Sequence, residues 1–162
     1  MKRRSFEDMN CSVAQALEIV GEWWTLLILR DAFVGIRRFD DFQARLGISR
    51  NVLTTRLDAL VEHGILQRVQ YSERPPRDEY RLTDKGRGLW TVLHALSEWG
   101  DEWVIGTENA SVAATHEGHH CATELHCMEC GDKLGLRDIR LVPGPGADET
   151  TELPPRVRAQ AR

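Results

Sequence analysis

Three thiols and four imidazoles crowd into one late stretch, HEGHHCATELHCMECGDKL. Within it Cys127 and Cys130 form a C-x-x-C pair followed by Gly131. Two thiolates at that spacing can share one tetrahedral zinc, and a glycine behind them permits the turn that aims backbone amides at sulfur. Zinc then needs two more ligands. Cys121 supplies one and one of His116, His119, His120 or His126 the other, so the expected set is Cys121, Cys127, Cys130 and His126. Two other chemistries suit the same residues: reversible oxidation of the dithiol, and a solvated His-rich linker that binds nothing. A second C-x-x-C would have decided for zinc; the pair alone favours a structural zinc that stabilises a small C-terminal lobe. The fourth thiol, Cys11, stands just ahead of a helix start, where the positive end of the dipole favours thiolate.

A second set of reactive types lies in ISRNVLTTRLDALVEHG, residues 48 to 64. Leu53, Leu57, Leu60 and Val61 share one helical face. Asn51, Thr55 and Asp58 then lie opposite, Thr54 flanks them, and Arg50 sits at the leading end. An α-helix fits the DNA major groove, where Arg can bond guanine, Asn can bond adenine, and Thr reaches phosphates or a thymine methyl. Any polar helix face taken alone can equally be a solvated one. What surrounds the helix must decide.

The chain has 162 residues, enough for one compact domain and a smaller companion. No run of about 18 uncharged apolar residues exists, and the start MKRRSFEDMNCS lacks the apolar middle of a secretion signal, so a cytoplasmic protein without membrane partners is expected. The net charge of −4 argues weakly against nucleic acid. Its distribution argues the other way: from Arg37 to Arg87 eleven basic residues face eight acidic ones, leaving the remainder of the chain acidic.

The positioning elements follow from period and punctuation. Ser12 and Gln15 have capping-box spacing at the head of a helix bearing Val13, Ala14, Leu17 and Val20. WWTLLILRDAF is apolar nearly all round, as for a helix at the centre of a bundle, and ends at Gly35. Phe39, Phe42 and Leu46 make a third, two-turn helix that stops at Gly47. Ser49 then caps the polar-faced helix, with Ile48 packed on Leu53 as a hydrophobic staple. Two short helices joined by Gly-Ile-Ser form a helix-turn-helix. Beyond Gly64 the period alternates, predicting strands in ILQRVQYS and DEYRLT with ERPPR between them; Pro75 and Pro76 stiffen the tip and hold Arg74 and Arg77 outward. Thr83 caps one long helix carrying Leu89, Leu93, Leu96, Trp99 and Trp103, more apolar surface than a small bundle needs. The fold class is therefore mainly α with a small β-hairpin (α+β), a winged helix-turn-helix over 1–105. A Cys/His-rich extension spans 106–142, and a disordered tail rich in Pro, Gly and charge spans 143–162.

These parts, in this order, resemble the HxlR-type winged helix-turn-helix regulators over residues 11 to 104. The matching pieces are C-x-VA-x-AL, WTLLILRDAF-x-G, RRFDDF, GIS-x-x-VL-x-x-RL-x-x-L-x-x-HGIL and PPRDEYRLTDKG. The resemblance implies a bacterial-type homodimer on a palindromic DNA operator, often a repressor acting near its own gene. It places the reading helix at 49–63 and the wing at 72–79. Ser49, Arg50, Asn51, Thr54, Thr55, Arg56, Arg74 and Arg77 thereby become expected DNA contacts, with Arg37 and Arg38 of the basic stretch beside them. Dimer contacts fall on Cys11 to Val20 and on Gly88 to Trp103, and two-fold symmetry sets the reading helices about one DNA turn, roughly 34 Å, apart or a multiple of it. Some relatives sense oxidants or electrophiles through a cysteine at the place of Cys11; an inert thiol at a dimer contact is the other reading. An oxidant or small molecule is thus an expected effector.

Two further classes compete. A winged-helix module that binds proteins, or that senses thiol chemistry or metal without touching DNA, fits the acidic total. An enzyme does not fit, because no nucleophile–base pair or open metal site can be assembled from these motifs.

Overall fold

The computed structural model describes residues 5–147. Residues 1–4 and 148–162 lie outside the described residues, and with them most of the tail expected to be disordered. The chain divides into two compact units at Ala110 and Ser111.

The first unit opens with α1 (Ser12–Val20) and α2 (Trp23–Phe33). The expected capping box is not made: Cys11, not Ser12, holds the capping position, and no side chain caps it. The Gln15 amide instead reaches the carbonyls of Phe6, Glu7 and Met9 at 2.9–3.0 Å. The preceding segment offers these acceptors because Glu18 draws it against the helix, taking bonds from the Ser5 hydroxyl and the Phe6 amide. Helix α2 is central as expected, with Ile28 and Leu29 wholly buried, yet Trp23 remains 87% exposed. Asp31, on the same helix, is wholly buried between Arg30 at 3.0 Å and Arg45 at 3.3 Å. A buried carboxylate keeps its charge only when paired, so this group ties α2 to the helix that carries Arg45.

That helix is α3 (Phe39–Leu46), which ends at Gly47 in the left-handed conformation, φ +65°. A residue with a Cβ is strained there, and the sharp turn it allows leads straight into α4 (Arg50–Glu62). Ser49 caps α4 by accepting the Val52 amide at 3.3 Å, and Ile48 is buried beside it. Leu53, Leu57 and Leu60 are buried with Phe42, Ile28 and Leu29 in one core; Val61 packs against it only partly.

Strands β1 (Leu66–Glu73) and β2 (Pro76–Leu82) form the antiparallel hairpin. The turn is tighter than ERPPR implied. Pro76 already belongs to β2, opposite Glu73, because a first strand residue can forgo its N–H. A bulge at Tyr71 breaks the register between Gln70 and Ser72. The base of the hairpin is stitched to the connector before α3, where the Tyr80 amide donates to the Arg37 carbonyl at 2.8 Å.

The single long helix expected after Thr83 is broken. Thr83 does cap, accepting the Gly86 amide at 3.1 Å, but α5 (Asp84–Arg87) is one turn and α6 (Trp90–Gly100) starts afresh. Two glycines weaken helix propagation here. Gly86 is required by packing, since a Cβ on it would lie 2.2 Å from the Ile65 carbonyl oxygen. The chain continues through a π-turn, Asp101–Ile105, to Gly106.

The second unit carries a two-residue ladder, Thr115–His116 with His119–His120, and a loop closed by a bridge between His126 and Lys133. Among the described residues no single helix is long and apolar enough to cross a membrane.

Candidate nucleic-acid interface

Helix α4 is held by its leucines, so the residues between them are fixed outward. Asn51, Thr54 and Thr55 are all exposed. The Thr55 hydroxyl donates to the Asn51 carbonyl at 2.9 Å, which orients its methyl and remaining lone pairs away from the helix axis. Ser49 spends its oxygen on the cap, so its task at this site is positional.

Arg50 is exposed but engaged. Its guanidinium lies over the Phe39 ring and bonds Asp40 at 3.3 Å and Gln43 at 3.1 Å, both on α3. Asp40 and Gln43 thus neighbour Arg50, though sequence reading passed over them; the signal available was their polar type, three residues apart on the preceding helix. The two side chains of the ion pair are 65% and 80% exposed. A pair so solvated is worth well under about 1 kcal/mol, so a guanine edge or a phosphate can compete for the guanidinium.

Arg56 is not on the open face. It is half-buried and pairs with Glu22, ahead of α2, at 3.7 Å. The helical step from Leu53 and Leu60 carries it sideways toward that neighbour. Arg68 of β1 lies over the Tyr80 ring and pairs with Asp58 of α4, so it locks the hairpin to α4. Its hydrogen bond to Tyr80 and then the charge of Asp58 raise its pKa above the ordinary arginine value, leaving a fixed cation.

Arg74 and Arg77 flank the hairpin tip, both exposed and with no acidic partner among the described residues. Arg38 stacks over Tyr71 at the bulge, 4.6 Å from the ring centroid, on the wing side. Arg37 does not join them: it lines a cavity with Gln67, Arg81 and Arg87 to which α4 contributes nothing.

A family model for HxlR-like helix-turn-helix domains matches residues 19–108, which contain this helix pair and hairpin. The chain belongs to the HxlR-like family. An HTH-type transcriptional regulator of Mycobacterium tuberculosis is 47% identical over 137 residues, 83% of this chain and 87% of its own length. One of Synechocystis is 39% identical over 95 residues, 58% of this chain and 70% of its own. Among solved structures, the candidate transcription factor PA1607 superposes with TM-score 0.76 at 36% identity, covering 86% of this chain and 99% of its own. The reduced form of the transcriptional regulator YodB from Bacillus subtilis matches at TM-score 0.51 and 30% identity over 59% of this chain and 96% of its own.

This HxlR-like chain is accordingly a transcriptional regulator with a winged-helix DNA-binding unit. The hairpin has the place of the wing, and α4 that of the second helix of the helix-turn-helix, in such a unit.

Its cysteines are placed unevenly. Cys11 is exposed at the start of α1. In the second unit the Cys127 sulfur accepts the amides of Cys130 and Glu129, and these, with the Cys130 thiol, lower its pKa below the usual thiol value. The turn foreseen at Gly131 is present, with φ +80°. The four-ligand zinc set is not gathered. The His126 ring sits 3.1 Å from the Gly131 carbonyl and 3.4 Å from Glu124, and the Cys130 thiol donates to Asp132 at 3.4 Å. Glu124 is drawn off by Lys133, which with His126 keeps its carboxyl below the ordinary range. Among the described residues no three His, Cys, Asp or Glu side chains converge as a metal site.

Proposed function

We propose that this regulator acts in the cytoplasm as a homodimeric repressor on a palindromic operator, as a binder of DNA and not as an enzyme. The observation that carries the reading is the open face of Asn51, Thr54 and Thr55 on α4, with Arg50 at the head of that helix and Arg74 and Arg77 exposed at the tip of the hairpin. Short polar groups between arginines suit a groove whose floor offers base edges and whose rims are phosphates.

The dimer reading is supported by apolar surface left uncovered within one chain. On α1 Val13 is 67% exposed and Leu17 43%; along α6 and its continuation Val92, Leu96, Trp99 and Trp103 are exposed by 49–69%. Patches of this kind are costly on a solitary soluble unit, and a second copy is the natural cover.

A sensing role for Cys11 is favoured by its exposure at a helix start and by the likeness to the redox regulator HypR, 31% identical over 59% of this chain with TM-score 0.54.

Titrating labelled DNA from upstream of the gene tests the main reading. Saturable binding by a dimer, weakening steeply as salt rises, is expected. A monomer indifferent to its own promoter and to salt would instead make the winged helix a protein-interaction module.

A further inference from the structure

Behind the wing, where the end of α2, the base of the hairpin and α5 meet, lies an open cavity of about 460 Å³. That volume falls in the range of about 300–1,000 Å³ that holds small organic ligands. Its wall is of two kinds. Phe33 and Tyr80 supply aromatic surface, and Arg37, Arg81 and Arg87 supply guanidiniums around the Gln67 amide.

The charges do not cancel. Arg81 is paired with Glu79, and Arg87 with Asp84 while also donating to the Leu82 carbonyl. Arg37 has no acidic partner among the described residues; only its carbonyl is used, by the Tyr80 amide. The cavity therefore holds one unmatched cation beside two aromatic rings. A guanidinium binds a carboxylate through two parallel N–H donors, and an aromatic wall takes up a flat apolar body.

We propose that this cavity is a binding site for a small organic anion of the aromatic-carboxylate class, its carboxylate on Arg37 and its ring against Phe33 and Tyr80. The ligand would bridge the connector before α3, the wing base and α5. Phe33 also packs edge-on against Trp90 of α6, ring centroids 5.3 Å apart, so the same wall touches the helix with the uncovered apolar stripe. The proposal concerns ligand binding only and does not depend on the operator reading.

The test is an amide proton–nitrogen NMR titration of the full chain with benzoate, benzamide and sulfate as separate probes. Saturable benzoate shifts confined to residues 32–37, Gln67 and 80–87 are expected. Benzamide, the same shape without charge, and Arg37→Ala with benzoate should each bind at least about tenfold more weakly. Among the described residues the Arg37 side chain has no hydrogen-bond or ion-pair partner, so Arg37→Ala should leave the rest of the spectrum in place, and Arg37→Lys should recover part of the affinity. Benzamide matching benzoate, sulfate reproducing the same shifts at the same concentration, shifts centred elsewhere, or none by about 10 mM benzoate would each overturn the assignment.

Discussion

The Arg50 guanidinium lies 3.3 Å from the Asp40 carboxylate, folded back over α3 instead of extending from the reading helix. In the free chain Asp40 thus competes with DNA for the same cation, and adds a negative charge near the phosphates. Asp40→Ala should strengthen binding several-fold on specific and random duplexes alike. Arg50→Ala or Asn51→Ala should instead cost about 1–3 kcal/mol on the operator and much less on random DNA. Fluorescence anisotropy on both duplexes separates the cases; equal losses would reduce Arg50 and Asn51 to phosphate contacts.

Among the described residues the wing arginines make no ion pair, which leaves their charge available to phosphates. Replacing Arg74 and Arg77 by alanine should lower affinity on every sequence and flatten the log–log salt dependence by about 1 per residue. An unchanged slope would mean that the hairpin tip stays clear of the duplex.

Asp31 is the polar group on which the α2–α3 packing turns. Asp31→Ala leaves Arg30 and Arg45 without their shared partner and opens a polar void in a buried place. Both arginines are half-exposed and can turn to water, so the expected loss is about 1–3 kcal/mol, not more. Urea unfolding measures it, and stability equal to the parent chain would contradict the role assigned to Asp31.

Trp99 and Trp103 are 57% and 69% exposed and make little of the fold within one chain. Changing both to serine should shift sedimentation from dimer to monomer while the helical circular dichroism persists. Thermal unfolding should then lose its dependence on protein concentration. A doubly substituted chain that still sediments as a dimer would place the interface elsewhere.

Cys127 is half-buried, with its thiolate favoured by two backbone amides. Because its pKa is lowered, the thiolate persists as pH falls below the value at which an ordinary thiol is protonated, and the reactivity is lost only on passing the lower pKa. Iodoacetamide at about pH 7 should therefore alkylate Cys127 ahead of Cys121 and Cys130, as read by peptide mass mapping. Equal rates for the three would show that the amide cradle does not hold in solution.

Much of this was legible because local physics and the fold agree. Gly47, Ser49 and the leucines of α4 each state their place through turn chemistry, capping and period, and all three occupy it. The errors fall where a distant neighbour overrides a local pattern. Gln15 has capping-box spacing, but three carbonyls ahead of the helix outbid the helix start. The stripe from Leu89 to Trp103 has helical period, yet the close approach of Gly86 to Ile65 brings glycines into its first turns and breaks it. Asp31 stands beside Arg30 in an otherwise apolar run, and its burial depends on Arg45, fourteen residues on.

What the residues by themselves determined is the order of the elements, the inward face of α4 and the chemical kind of its outward face. Each depends on propensity and period within a few neighbours. Which cations stay free was decided only in three dimensions. Arg37, Arg50, Arg56 and Arg77 are alike as letters, but one lines a cavity, one is folded onto Asp40, one is set against Glu22 and one stands open at the wing. A charge is defined by what lies within a few ångströms of it, and that distance is closed by tertiary packing, not by sequence separation.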